Sequence, residues 1–413
     1  MRQSMSEQAR GRTHFLFLNF GHFIDHYATL VFATVAALVL TREWGMTYAD
    51  LARYATPGFI AFGVFSLPAG WLADRWSREG MMAVFFIGIG IASILTGLAR
   101  TPFEIAVGLF VVGMFAAIYH PVGLALLMDK SVKAGMALAV NGVWGNLGVA
   151  CAALVTGFLI DQAGWRSAFF LPGAICILCG VAYAYLFRGE ILVRNGTTGR
   201  PASPISAAVR LSPASRRAII VLTINIFLII MMSGFMFQST SFALPKVFEE
   251  RLGDAQWSAT LIGAMVFLVF AIGSAGQLVI GTMLDRVNTK LLLAGVIVLQ
   301  TSFLVWMPGL GGWAAVVVAA GFMIGAFGQL PITDFMIGKM ARAEIRASVY
   351  GARYVVTCLV FASAIPIIAW IHAGWGFDTL FQTLAILSVA MLLATLTLPG
   401  RLPEPDARPV AAE

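Results

Sequence analysis

The sequence predicts an all-α membrane protein with twelve transmembrane helices, arranged as two pseudo-symmetric bundles of six. Hydrophobic residues make up 59% of the 413 positions, charged residues only 11%, and the mean hydropathy is +0.87. Soluble domains are considerably more polar. Twelve apolar stretches are each long enough to cross about 30 Å of hydrocarbon, and a polar segment separates the sixth from the seventh.

The apolar stretches define the predicted helices in chain order. Several exceed the minimum length for a span, which predicts tilt or extension beyond the bilayer. The first bundle contains 14–40, 50–73, 80–98, 102–128, 134–160 and 165–187. The second contains 217–243, 256–284, 290–308, 312–338, 345–372 and 375–398.

The segment 188–216 is predicted to be a cytoplasmic linker between the bundles 1–187 and 217–400, with a cytoplasmic tail at 401–413. With both termini on one side of the membrane, that side holds 20 of the 27 Lys and Arg residues and the other side 6. Positive charge accumulates on the cytoplasmic side. We therefore expect a multi-pass protein of a bacterial cytoplasmic (inner) membrane with both termini in the cytoplasm. The net charge of +7 then requires no nucleic-acid partner.

A weak internal repeat relates the two bundles at an offset near 210 residues. The segment 70–75 reads Gly-Trp-Leu-Ala-Asp-Arg and recurs at 281–286 as Gly-Thr-Met-Leu-Asp-Arg, while Pro121 matches Pro331. Such internal duplication is typical of secondary transporters.

The first copy, continued by Ser-Arg-Glu-Gly at 77–80, resembles the signature loop between spans 2 and 3 of the major facilitator superfamily. The second copy has the degenerate form usual in that family. The resemblance covers almost the whole chain and implies two bundles that rock around a central site, usually in a monomer. It departs at Trp76 and Ser77, which precede a single Arg78 where the family has a glycine and two basic residues.

The position of these loops at the cytoplasmic mouth predicts a conformational gate. A charge clamp there would hold the halves together in the outward-facing state and release on inward opening. Its predicted members are Gly70, Asp74, Arg75, Arg78, Asp285, Arg286 and Asp334.

Three further motifs resemble fosmidomycin-resistance-type exporters. They are Tyr-His-Pro at 119–121, Gly-x-x-Gly-Asn-Leu-Gly at 142–148, and the His22 and Asp25 pattern of span 1. Proton-coupled drug exporters usually carry an arginine in span 4 and a Gly-Pro pair in span 5. This chain has apolar residues around Leu109 and places Asn146 where proline is usual, which leaves the substrate open.

Titratable groups in the middle of spans indicate function because they are costly in hydrocarbon. Asp25 in span 1 and His120 in span 4 both lie about 15 Å from the cytoplasmic end of their helices. In the superfamily both spans line the central cavity, so we expect the two side chains to face each other and to exchange a proton near neutral pH. His22 shares the face of Asp25, whereas His26 is expected to point about 100° away. The alternative for Asp25 is a hydrogen-bonded packing role.

Arg353 in span 11 lies too deep for easy snorkelling. A cavity-facing guanidinium would bind a carboxylate or phosphonate through its planar fork. The alternative is an internal ion pair with Asp334 of span 10.

Polar and aromatic residues in the spans that usually line the pathway are further substrate-binding candidates. Each could equally serve helix packing. They are Asn19, Tyr27, Tyr119, Asn141, Trp144, Asn146, Asn225, Gln238, Gln329 and Tyr354.

These features predict a secondary active transporter for a small organic solute, with protons and lipid as its other partners and no cofactor. Proton antiport that exports a drug-like or anionic compound is favoured, and proton symport that takes up an organic anion is the alternative. The sequence lacks the Gly-x-x-x-x-Gly-Lys-Ser/Thr motif of nucleotide-driven transporters. A membrane enzyme that binds a metal through His22, His26 and His120 is a weaker rival, and a channel or a sensor is a third possibility.

Overall fold

The structure, a computed structural model, describes residues 6–130, 134–192, 213–252, 257–284, 286–340 and 346–400. Its first half begins with α1 (Glu7–Val35), a π-helical turn π1 (Ala36–Leu40), α2 (Thr41–Glu43), α3 (Tyr48–Arg53), α4 (Thr56–Arg75) and α5 (Arg78–Gly97). It continues with α6 (Pro102–Ala116), a second π-helical turn π2 (Tyr119–Gly123), α7 (Leu124–Lys130), α8 (Ala134–Ala163), α9 (Ser167–Leu186) and α10 (Arg188–Leu192). The second half contains α11 (Pro213–Arg251), α12 (Ala259–Met283), α13 (Thr289–Trp306), α14 (Gly312–Met340) and α15 (Arg346–Leu396).

The predicted twelve-helix fold is confirmed. Eleven continuous helical stretches in the described chain are long and apolar enough to span a membrane, and the last of them, Arg353–Leu396, contains a break. Gly376 has φ 76° and ψ −174°, a conformation that residues with a Cβ avoid, and it divides α15 into two legs. These legs correspond to the predicted spans 345–372 and 375–398.

The linker prediction falls partly outside the described residues, which omit 193–212 and the tail 401–413. Residues 188–192 form the short helix α10, and α11 already begins at Pro213. Within α10, Glu190 accepts two hydrogen bonds from the Arg10 guanidinium, at 2.9 Å from Nε and 2.5 Å from Nη2. The start of the predicted linker is therefore attached to the N-terminal half.

Glycines set the closest helix contacts. A Cβ on Gly148 of α8 would overlap the carbonyl oxygen of Phe23 on α1. Between the two halves, a Cβ on Gly157 of α8 would overlap the Ala259 carbonyl, and one on Gly263 of α12 would overlap the Ala153 carbonyl. The helices α8 and α12 thus meet backbone to backbone, which only residues without a side chain permit.

The molecule has two ends, called the linker end and the far end. The linker end carries Glu7 and α10, and the far end carries α2 and α3. At the far end the halves are joined by Arg42 Nη2 and Glu249 Oε1 at 3.0 Å, and by the Tyr48 hydroxyl, which donates to the Phe242 carbonyl at 3.4 Å.

Asp161, at the far end of α8, adds a third contact between the halves. Its carboxylate accepts the backbone N–H of Ala259 at 3.2 Å and of Thr260 at 2.7 Å, and the Thr260 hydroxyl at 2.5 Å. A carboxylate at this position satisfies the unpaired N–H groups in the first turn of α12 and complements its dipole. The far end of the molecule is therefore closed.

Candidate functional site

Asp25 is buried where α1 meets the π-helical turn π2. Its side chain is 0% exposed, and Oδ2 lies 3.2 Å from Nε2 of His120, whose side chain is 16% exposed. Within the described chain neither carboxylate oxygen has another hydrogen-bond partner. The two groups that the sequence placed at equal depth are thus in contact, and His120 is the group that compensates for the burial of Asp25.

The turn π2 explains why two consecutive residues both reach α1. In a regular α-helix, neighbouring side chains point about 100° apart. Here the Tyr119 hydroxyl donates to the Leu18 carbonyl at 2.8 Å while His120 contacts Asp25. A π-helical turn widens the helix locally and is frequent at functional sites, and Pro121 has no N–H to complete the regular ladder.

A hydrogen-bond network behind this pair joins α1, π2 and α8. The Asn141 side-chain amide donates to Asn19 Oδ1 at 3.0 Å and to the Tyr119 hydroxyl at 2.9 Å. The Asn141 carbonyl lies 2.8 Å from Nδ1 of His22. Three predicted substrate-binding residues, Asn19, Tyr119 and Asn141, are therefore at most 1% exposed and hydrogen-bonded to one another.

His26 lies close to the two other histidines of the site. Its ring lies 4.9 Å from that of His22 and 5.7 Å from that of His120, between centroids. His26 is one turn after His22, and residues four apart share a helix face, as the possible metal site at His22, His26 and His120 requires. One ligand nitrogen from each of His22, His26 and His120 lies within 4.8 Å of the other two. Asp25 and these three histidines are called the N-terminal cluster below.

In the other half, Arg353 of α15 forms an ion pair with Asp334 of α14 through Nη1 and Oδ1. The Arg353 side chain is 20% exposed and the Asp334 side chain 47%. Within the described chain, Arg353 Nε is buried without a hydrogen-bond partner. These two residues are called the C-terminal pair.

Tyr354 connects the two charged sites. It follows Arg353 on α15, yet its ring lies 4.7 Å from that of His120 and 5.9 Å from that of Phe62 on α4. A side chain of the second half thus contacts the N-terminal cluster directly.

The remaining substrate-binding candidates are dispersed. Asn146 donates to Gln277 of α12 at 2.8 Å and so links the halves, whereas Gln329 donates to Gln300 inside the C-terminal half, where both are 0% exposed. Asn225 contacts Thr397 near the end of α15. The others remain on lining helices: Trp144 is half-buried on α8, Tyr27 is buried on α1, and Gln238 is buried on α11.

The described residues of the two predicted gate loops lie at the linker end, whereas Asp334, also predicted as a gate residue, belongs to the C-terminal pair. Asp74 accepts a hydrogen bond from Arg78 Nη2 at 2.9 Å, and the Arg75 guanidinium lies 4.1 Å above the Trp71 ring. Gly70 faces Pro121, where an added Cβ would come within 3.3 Å of the proline ring. These contacts all join residues of the N-terminal half. Arg286 is exposed beside the end of α12, and Asp285 lies outside the described residues.

Sequence reasoning missed the residues that close the far end, notably Asp161 and Tyr48. Asp161 follows an apolar span and precedes Gly164, which signals only a helix end. Its partner is the start of a helix almost a hundred residues later, and no local pattern identifies such a pairing.

Comparison with known proteins decides the family. Residues 18–254 and 226–413 match the family model described as Major Facilitator Superfamily. The chain belongs to this superfamily. The finer resemblance to fosmidomycin-resistance-type exporters stays a prediction.

This chain is similar to several known transport and resistance proteins. The 4-hydroxybenzoate transporter PcaK of Pseudomonas aeruginosa is 25% identical over 93% of this chain and 91% of its own length. The puromycin resistance protein pur8 of Streptomyces alboniger is 30% identical over 40% of this chain. The matches to the first curated relatives cover only 32% to 38% of those relatives' length.

A crystal structure of the peptide transporter POT in complex with sulfate has a TM-score of 0.71 with this chain at 15% identity, and covers 93% of both chains. At this identity the likeness concerns the fold alone.

Proposed function

We propose that the chain is a secondary active transporter in which a small organic anion binds at the C-terminal pair and a proton binds at the N-terminal cluster. The observation that carries this proposal is the contact of Tyr354 with His120. Because Tyr354 adjoins Arg353, substrate binding at one site can be transmitted to the other without a long chain of intermediates.

The C-terminal pair suits an anion. The guanidinium presents a planar fork that matches a carboxylate or a phosphonate. The Asp334 side chain is 47% exposed, although Oδ1, which pairs with Arg353, is buried, and an incoming anion would replace this oxygen as the partner of Arg353. The rings of Tyr354, Phe62 and His120 lie close by, which favours an aromatic or otherwise flat acid.

The N-terminal cluster suits a proton. Asp25 is fully buried and has one charge-compensating neighbour, so a proton shared with His120 decides whether the site is neutral. The network of Asn19, Tyr119 and Asn141 holds the helices that carry the pair, and we assign it a positioning role.

We propose symport, and hence uptake, as the direction of transport, since the 4-hydroxybenzoate transporter matches along nearly its whole length. Proton-coupled export is the second candidate, favoured by the motifs shared with fosmidomycin-resistance-type exporters and by the puromycin resistance protein. In both cases we place the linker end in the cytoplasm of a bacterial inner membrane and expect a monomer.

The loop residues Gly70, Asp74, Arg75, Arg78 and Arg286, with Asp285, are proposed to close the linker end when the far end opens. The closed far end is the arrangement expected while that clamp is released.

The test is proton flux in proteoliposomes under an imposed pH gradient, with aromatic carboxylates, small organic acids, phosphonates, puromycin and lipophilic cations as candidate substrates. Proton movement in the same direction as the substrate establishes symport, and opposite movement establishes antiport. Asp25→Asn should abolish the proton signal, while Asp50→Asn at the exposed start of α3 should not. Substrate flux with no proton movement would refute the coupling.

A further inference from the structure

We infer that the N-terminal cluster is also a binding site for a divalent first-row transition-metal ion, with His22, His26 and His120 as nitrogen ligands and a fourth coordination position left open. This donor set is that of a tetrahedral zinc site. The binding is independent of the proposed transport function.

The ligand atoms are already close. One nitrogen of each histidine lies within 4.8 Å of those of the other two. Tetrahedral coordination at about 2.0–2.1 Å requires nitrogens about 3.4 Å apart. The widest pair must therefore close by at most about 1.4 Å, which rotation of the buried and half-buried imidazole side chains can supply.

The hydrogen bonding of His22 supports metal binding more specifically than the short distances between the histidines do. Its Nδ1 lies 2.8 Å from the Asn141 carbonyl, which can only accept a hydrogen bond, so the neutral ring carries its proton on Nδ1. The lone pair is then on Nε2, which is buried without a hydrogen-bond partner in the described chain. An imidazole held by a backbone carbonyl with its other nitrogen free is the usual arrangement of a metal-ligating histidine.

Asp25 lies beside the three histidines. Its carboxylate is fully buried, and Oδ2 lies 3.2 Å from Nε2 of His120. A dication held by the histidines would place further positive charge near this carboxylate, which favours its ionised form. The turn π2 presents His120 to α1, and the ring of His22 packs against Gly145, where an added Cβ would be 2.7 Å from Nε2.

A bound ion would occupy the space beside Asp25 and His120, where the proposed function places its proton. If the proposed function holds, Zn²⁺ therefore inhibits proton-coupled transport. This second statement rests on the proposed function, whereas binding itself does not.

The experiment is Zn²⁺ titration of the full-length protein in detergent, purified through a tag without histidine and stripped with EDTA, using isothermal calorimetry and a chromophoric chelator as competitor. Co²⁺ serves as a spectroscopic probe, because a tetrahedral site gives intense visible bands. The chain contains 5 histidines, so His372→Gln at the far end is a matched control for His120→Gln and for the double variant His26→Gln/His120→Gln.

We expect one ion per chain in the wild type and in the His372 variant, and at least about 10-fold weaker binding in the cluster variants. Absence of stoichiometric binding in the folded wild-type protein, or equal binding in the double variant, would overturn the site. Failure of the transport proposal would instead appear as absence of substrate-dependent proton flux in a protein that still binds one ion per chain, so the two outcomes are distinguishable.

Discussion

The N-terminal cluster and the C-terminal pair each unite a carboxylate with a cationic partner inside the membrane region, yet they are constructed differently. Asp25 is 0% exposed and backed by hydrogen bonds that join three helical elements, while Asp334 is 47% exposed and pairs with Arg353. A fixed, buried site can detect a small ion. A half-open pair can exchange one anion for another, which is what substrate binding requires.

The Asp25→Asn variant is the strongest test of this difference between the N-terminal cluster and the C-terminal pair. We expect substrate-dependent proton flux to fall by about 100-fold or more, equivalent to about 2.7 kcal/mol, while exchange of substrate without a gradient persists. The reason is that the variant cannot bind the proton but keeps the C-terminal pair. Parallel flux and counterflow assays measure the two properties, with Asp50→Asn as the control. Equal loss of exchange and of proton flux would mean that the two sites are not separable.

Gly148→Ala tests the rigidity of the N-terminal site. The added Cβ overlaps the Phe23 carbonyl and would push α8 away from the helix that carries Asp25. We expect a loss of about 1–3 kcal/mol of stability, seen as a lower midpoint of thermal unfolding in detergent. Gly142→Ala is the matched control, because a Cβ there meets nothing within 4 Å and alanine favours the helix. Equal behaviour of the two variants would contradict the close packing.

Arg353→Lys sharpens the assignment of the C-terminal pair. Lysine keeps the charge but loses the planar fork, so the KM for the transported anion should rise by about 10-fold, or about 1.4 kcal/mol, with the proton-to-substrate ratio unchanged. Arg251→Lys is the control, since Arg251 also pairs with an aspartate, Asp378, but at the far end. An unchanged KM in Arg353→Lys would remove this residue from substrate binding.

The smallest effect is expected at the far end. Asp161→Asn removes the charge that caps α12 and should destabilise the state with a closed far end by about 1 kcal/mol. The population with an open far end then rises about fivefold. Spin labels at Glu43 and Ala373, in a chain whose 4 native cysteines are replaced, report that population as a longer distance. A distance distribution identical to that of Asp50→Asn would show that the cap does not hold the halves together.

Sequence predicted the fold because membrane spans are encoded locally, through length and apolar content. It also predicted the contact of Asp25 with His120, since depth follows from position along a helix and the family places spans 1 and 4 around one cavity. The ion pair of Arg353 with Asp334 was one of two alternatives, which local pattern could not separate.

The questions that sequence reasoning left open have physical causes. His26 was predicted to point about 100° away from Asp25 and, one turn after His22, to be a possible metal ligand with His22 and His120. For Asn19, Tyr119 and Asn141 both cavity lining and helix packing were predicted, because a polar residue in an apolar span looks the same whether it contacts solute or another helix. Asp161 escaped notice because its partner is determined by how two halves dock.

The backbone contact of α8 with α12 at Gly157 and Gly263 has a kinetic consequence. Opening the far end must separate two surfaces that touch without intervening side chains and must also break the Asp161 cap. The reverse step re-forms both. The transport cycle is therefore expected to be asymmetric in time: the chain dwells with the far end closed, and the slow step that limits turnover is the reopening of that end.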